Sequence, residues 1–350
     1  MPTLAAVATA VPPYRISQTE ARAFAESLFS DKIDELDRLL PLFDNTGIES
    51  RYFTRPLDWF SEAHSLEEKN RIYIESATSL CAEASRKLFD RTGLGPEDID
   101  YIIYVNTTGL ATPSIDARLI NELGLRTNVQ RTPVWGLGCA GGASGLAQAY
   151  HYAIGHPDQR VLLCSAELCG LTFIPNDFTK SNLVASALFA EGAAAALITG
   201  DQIRTDGLKL LATQSQFYPD SLNVMGWHVI SRGLQVVFDK RIPDIVAENS
   251  AIELETLLRE NRIKREEIRD YLYHPGGMKV VDAYERAYGL EDGAMKYSRE
   301  TLRDFGNMSS VTVLFVIAKF LEDQARARDG IAVISALGPG FCSESLLARL

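Results

Sequence analysis

Cys139 stands in VWGLGCAGGASGLAQAY, between an apolar run and a segment of very small residues that reads as the start of a helix. A thiol at a helix N-terminus meets the positive end of the dipole and unpaired N–H groups, and both favour the nucleophilic thiolate. A cysteine that only packs in the core is the structural alternative, and that reading suits Cys81, Cys164 and Cys342. His274, in YLYHPGG, ends an apolar run and precedes a rigid Pro-Gly-Gly turn, which holds it at a cleft edge. From there an imidazole pairs with a thiol or donates to a developing oxyanion; a hydrogen-bonded structural histidine is the bland alternative. His64, His151, His156 and His228 lie in polar or surface contexts and keep that default. Asn307, in FGNMSS, opens a helix and alone would be an N-cap. Taken together, the three suit a decarboxylative Claisen condensation. An acyl group rides on Cys139 as a thioester, while His274 and Asn307 donate to the enolate left when malonyl loses CO2.

Positioning these residues requires a fold, and the chain contains its fold twice. Short apolar runs at 101–105, 160–166, 194–200, 271–274 and 331–337 alternate with amphipathic segments at 70–91, 140–154, 278–288 and 309–322, which predicts an α/β layered protein. PEDIDYIIYVNTTG (96–109) resembles REEIRDYLYHPGG (265–277), and each leads into a helix that stops at a glycine, ARLINELG and DAYERAYG. GLGCAGGASGL and DFGNMSSVTVL are each expected to open a helix after a strand, and RVLLCSAE matches IAVISALG. Gly277, Asn307 and Ser335 stand 168, 168 and 170 residues after Gly109, Cys139 and Ser165. A repeat this long with almost no gaps predicts a duplicated unit. Matching positions of two such halves meet near their pseudo-twofold axis, so Cys139 and Asn307 are expected to share one central site with His274 beside them. Asn307 then reads as an oxyanion-stabilising amide.

Bulk properties exclude several classes. The 350 residues are 46% hydrophobic and 23% charged, an ordinary globular composition. A net charge of −11 argues against non-specific binding to nucleic acid or to anionic membrane. Five cysteines without a CxxC pair predict reduced thiols in the cytoplasm, with no disulfide frame and no metal site. The N-terminus, broken by Pro12 and Pro13, reads as a first strand and turn, not as a signal peptide. SSVTVLFVIAKFL is too short to span a bilayer, so no integral membrane segment is expected.

The stretches GLGCAGGASGLA, ALFAEGAAAALI, HPGGMKVVDA, FGNMSSVTVLF and GPGF occur in the order found in type III polyketide synthases, and the chain resembles that family along essentially its whole length. The resemblance implies a thiolase-like α-β-α-β-α architecture. Residues 1–203 would form an N-terminal half carrying the nucleophile, and 204–350 a C-terminal half carrying the histidine and asparagine. It also implies acyl-CoA and malonyl-CoA as substrates, no cofactor, and a homodimer. Within the family the chain is similar to bacterial alkylpyrone synthases of the Bacillus type, which prime with long-chain fatty acyl-CoA; resorcinols are the alternative products. By the same resemblance Phe189 matches a gatekeeper between CoA tunnel and reaction cavity, with plain core packing as its alternative. Cys169 and Thr172 match cavity-lining positions, and Gly277 a substrate-binding one. Thr112, followed by Pro113, matches a loop that crosses the dimer interface. Of three basic residues set against the CoA phosphates in plant relatives only Arg38 remains, with Pro41 and Asn45 at the other positions. Other groups such as Arg51, or an acyl-carrier protein as donor, would then share the task. Leu337 replaces the aromatic often found before GPG. The nearest rival reading is a β-ketoacyl-carrier-protein synthase III with one extension per cycle; a non-catalytic scaffold on the same fold is the rival of another class.

Overall fold

Apolar alternation and helical spacing become the elements of the computed structural model, which describes residues 1–30, 32–33, 36–326 and 329–350. The first half runs β1 (Thr3–Ala10), β2 (Tyr14–Ser17), α1 (Gln18–Phe29), α2 (Leu36–Leu39), α3 (Pro41–Asp44), β3 (Ser50–Phe53), α4 (Leu66–Thr92), β4 (Tyr101–Asn106), α5 (Ile115–Leu123), β5 (Gln130–Trp135), α6 (Gly141–Gly155), β6 (Arg160–Leu168), α7 (Lys180–Leu188) and β7 (Glu191–Thr199). The second runs β8 (Leu208–Phe217), a hairpin of β9 (Met225–Ile230) and β10 (Gly233–Phe238), α8 (Ile242–Glu260), β11 (Ile268–Tyr273), α9 (Met278–Tyr288), α10 (Lys296–Phe305), α11 (Thr312–Glu322), β12 (Ile331–Gly338) and β13 (Cys342–Arg349). The nine segments singled out in the sequence fall on β4, β6, β7, β11, β12, α4, α6, α9 and α11, with ends moved by a few residues.

Local signals set the helix ends. Ser65 caps α4 by accepting from the Glu68 N–H, and Gly93, at φ 69°, closes it in the left-handed region. Between them Ile72, Tyr73, Ala77, Leu80, Cys81, Ala84 and Leu88 recur at helical spacing and are all buried. In β4, Ile103 and Val105 pack into one apolar cluster while Ile102 and Tyr104 pack into another. A strand buried on both faces in this way belongs to the interior of a layered protein.

The main sheet runs β11-β12-β13-β8-β1-β7-β6-β4-β5. Its two ends repeat one another. β4 and β6 are parallel, as are β11 and β12, and β6 meets β7 antiparallel as β12 meets β13. The halves join where β1 pairs with β8 at Thr3–Lys209 and Leu4–Leu208. The central cluster draws on α6, α11 and the inner faces of both sheet ends. A second cluster places α4 and α5 on the outer face of the first half, and a third places α8 and α9 on that of the second. The layers are therefore α-β-α-β-α. α11 is buried almost all round, as a central helix must be.

One expectation fails. DFGNMSS does not follow a strand: α10 occupies the place that β5 holds in the first half. Leu302 and Thr301 are buried but alternate with Arg299, Arg303 and Asp304, a helical and not a strand pattern. No helix among the described residues is long and apolar enough to cross a membrane.

Candidate active site

Two short turns meet at the centre of the molecule. Cys139 lies in a 3-10 turn, Gly138–Ala140, that leads into α6, and Ser309–Val311 forms the matching turn before α11. Gly138 (φ 48°) and Gly306 (φ 71°) precede Cys139 and Asn307, and both need the left-handed backbone that glycine adopts without strain. The Cys139 Sγ–H points at Ser309 Oγ, 3.7 Å away. Asn307 donates from Nδ2 to the Gly276 carbonyl at 2.9 Å and accepts the Ser309 N–H at 2.8 Å. His274 follows β11, its N–H anchored on the Ser335 carbonyl of β12. Gly276, which binds Asn307, in turn donates its N–H to the His274 carbonyl. Thus Cys139, Ser309, Asn307, Gly276 and His274 form one connected group.

All three candidates are buried, with 4%, 4% and 1% of Cys139, His274 and Asn307 exposed. Burial pushes the Cys139 thiol up to about 12; Ser309 and, less strongly, Asn307 pull the other way, and the Glu167 carboxyl adds to the rise. Burial alone drives His274 down to about 3. Desolvation thus works against the thiolate that the helix N-terminus favours, and against a charged imidazole as well. Among the described residues no group hydrogen-bonds either ring nitrogen of His274, an uncommon state for a buried imidazole.

Beneath the nucleophile lies a carboxyl that the sequence reading missed. Glu167, wholly buried in β6, accepts from Thr107 N–H, Thr108 N–H and Thr108 Oγ1 on one oxygen and from Ser310 Oγ on the other. Thr107 Oγ1 then receives the Gly138 N–H at 2.9 Å, which ties this network to the Cys139 turn. Its signal was a lone acid inside the apolar run RVLLCSAEL.

A cavity of about 680 Å³, part of it open to solvent, lies beside this centre. Cys169, Gly170, Thr172 and Phe189 wall its inner end, and Phe24, Phe29, Phe53, Phe60 and Phe173 line much of the rest. Phe189 packs against Trp227 and Phe238 of the β9–β10 hairpin, with ring centroids 5.7 and 5.4 Å apart. Thr172 donates its hydroxyl to the Cys169 carbonyl, which fixes that wall. Gly277 lies against Leu188, next to Phe189. The contributions of α1 and the hairpin were not anticipated, since they come from distant segments without a motif.

Arg51 does not serve as a surface phosphate ligand. It is 1% exposed, and its Nη1 donates to the carbonyls of Ser186 and Phe189. Arg38 is exposed on α2. Thr112 is exposed on a loop beside the edge strand β5, where Leu110 and Trp135 are 48% and 49% exposed. Among the described residues no group of three or more histidine, cysteine or acidic side chains is placed to hold a metal ion.

Residues 1–202 match the family described as chalcone and stilbene synthases, N-terminal domain, and residues 209–350 match its C-terminal domain. A protein of Bacillus subtilis (strain 168) named "putative chalcone synthase" is 41% identical over 97% of this chain and 96% of its own length. A 1,3,6,8-tetrahydroxynaphthalene synthase of Streptomyces peucetius subsp. caesius is 37% identical over 99% and 92%. Among solved structures, the 1,3,6,8-tetrahydroxynaphthalene synthase of Streptomyces coelicolor A3(2), a bacterial type III polyketide synthase, superposes with a TM-score of 0.95 at 28% identity, covering 99% of both chains.

Proposed function

Because this chain belongs to the chalcone and stilbene synthase family and is a type III polyketide synthase, an acyltransferase that needs no cofactor, we propose that it loads a long-chain fatty acyl group from CoA onto Cys139 and extends it with malonyl-CoA. The apolar cavity beyond Cys169 and Phe189 carries the long-chain part of this reading. A saturated chain gains about 0.8 kcal/mol for each CH2 moved out of water, and a cavity with six phenylalanines in a mostly apolar wall rewards such a tail.

In this reading the Cys139 thiol gives its proton to His274 as Sγ attacks the acyl thioester. Each lone charge is penalised by burial, whereas the pair formed by this transfer cancels. The tetrahedral oxygen collapses, CoA leaves as thiolate and takes the proton from His274. Malonyl-CoA then loses CO2, and the electron pair left on carbon is shared with its thioester oxygen. His274 and Asn307 donate to that oxygen. Asn307 keeps one Nδ2 hydrogen for the task, since the other is held by Gly276. The enolate carbon attacks the acyl carbonyl, the bond to Sγ breaks, and a β-ketoacyl-CoA results. After further extension an enol oxygen closes on the terminal thioester, releasing CoA and an alkylpyrone.

We further propose a homodimer whose contact includes the loop at Thr112 and the exposed Leu110 and Trp135, and a cytoplasmic site of action, which five free thiols suit. The test is product mass spectrometry with malonyl-CoA and acyl-CoAs from acetyl to stearoyl. Alkylpyrones that increase with primer length support the reading. Products built from malonyl-CoA alone would refute it.

A further inference from the structure

Arg51 is a cation without an acidic partner among the described residues, and burial holds its pKa down at about 9, still charged at neutral pH. Its position shows what the guanidinium holds. α7 ends at Leu188, and once the Phe189 N–H has bonded the Ala185 carbonyl, the carbonyls of residues 186–189 have no helical N–H left to receive. Each finds another donor. Ala187 O takes Gln18 Nε2, Leu188 O takes the Asn307 N–H, and Ser186 O and Phe189 O both take Arg51 Nη1 at 2.7 Å. The Arg51 stem meanwhile packs on Gly306, where an added Cβ would come within 2.7 Å of Arg51 Cγ. Strand β3 is pinned there, because Glu49 N–H donates to the Arg303 carbonyl and Ser50 Oγ to that of Asp304. Residues 189 and 307 are themselves bridged, Ala190 N–H donating to Asn307 O.

We infer that Arg51 is a positioning residue that locks the gate Phe189 and the amide Asn307 into one rigid unit, coupling primer selection to malonyl decarboxylation. The inference rests on the roles proposed above for those two residues. A helix-capping role alone predicts something different: loss of Arg51 would lower stability and the active fraction, so every partial reaction would fall together.

The experiment uses the full chain with Arg51→Met and Arg51→Lys. Cys139 acylation by hexanoyl- and palmitoyl-CoA is followed by intact-protein mass, and decarboxylation by CO2 release from malonyl-CoA. Arg51→Met keeps the apolar stem but leaves the Ser186 and Phe189 carbonyls without that donor, and Arg51→Lys keeps the charge and a donor should the methionine variant fail to fold. For Arg51→Met we expect hexanoyl loading near the unsubstituted rate, weakened discrimination between hexanoyl and palmitoyl, and decarboxylation slower by about 10², the effect of a displacement on the order of 1 Å at a reacting centre. Arg51→Lys is expected to recover part of the decarboxylation rate. Equal loss in both half-reactions, or no loss in either, overturns the inference. An unsubstituted chain that never acylates at Cys139 overturns the underlying reading of the site instead, and the inference with it.

Discussion

Substituting Cys169 by phenylalanine tests the cavity directly. Cys169 is 2% exposed and packs with Ala185, Phe189 and Val236 at the inner end of the 680 Å³ space. A phenyl ring there takes the room of about four methylenes, each worth about 0.8 kcal/mol on leaving water, so a primer that needs the space loses about 3 kcal/mol. That is on the order of 10² in kcat/KM. A primer too short to reach the ring loses little, because Cys139, His274 and Asn307 are not among the residues that line this space. Overpacking costs about 1–3 kcal/mol of stability, so thermal denaturation must be run in parallel. The assay is kcat/KM for saturated acyl-CoAs from hexanoyl to stearoyl on both proteins. A rising profile should flatten in Cys169→Phe beyond the length at which the tail meets the ring. A parallel drop at every length, or an unchanged profile, would refute the placement of the tail.

Cys139→Ala should form no acyl-enzyme by mass spectrometry, whereas Asn307→Ala should still load primer while malonyl decarboxylation falls by about 10²–10³; equal impairment of both steps would contradict that division. Glu191, buried beneath Gly170, accepts the Thr54 N–H and has its pKa raised to about 8 by burial. The unfolded chain loses this proton above its ordinary value near 4.5 while the folded one keeps it, so stability drains away as pH rises between the two. Glu191→Gln should therefore gain a few degrees in Tm, about what 1–2 kcal/mol gives a chain of this size, at pH 8 and nothing near pH 4.5; a pH-independent gain would show that the carboxyl is not protonated in the fold. Trp135→Glu should shift sedimentation at micromolar concentration from dimer to monomer, and an unchanged coefficient would place the contact elsewhere.

The central group was legible because its signals are local: a glycine before each turn, a histidine before Pro-Gly-Gly, and a repeat that carries Cys139 onto Asn307. The layers were legible from alternation in strands such as β4. What escaped depends on distance. Glu167 matters through Thr107 and Ser310, 60 residues before it and 143 after it. Phe24, Phe60 and Trp227 reach the cavity from three separate segments. The desolvation of Cys139 escapes the sequence for a related reason: it arises only once both halves have closed over the thiol. Arg51 is one of several groups that the sequence offers for CoA, whereas the carbonyls that hold it lie more than a hundred residues on, at the end of α7.

The failure of the second half to repeat β5 bears on how copies of this chain associate. A sheet whose two ends were alike would offer two equivalent open rims, and head-to-tail pairing through them generates fibres. Here the rims differ. At the β11 end α10 lies alongside, with Ser298 Oγ donating to the carbonyl of Tyr273, the last residue of that strand. At the other end β5 stays open and accommodates Pro133, which an edge strand tolerates because, among the described residues, only β4 pairs with it. In the dimer proposed above, contact between two such rims would use the same patch on both copies and be satisfied once a pair had formed, so growth would stop at two.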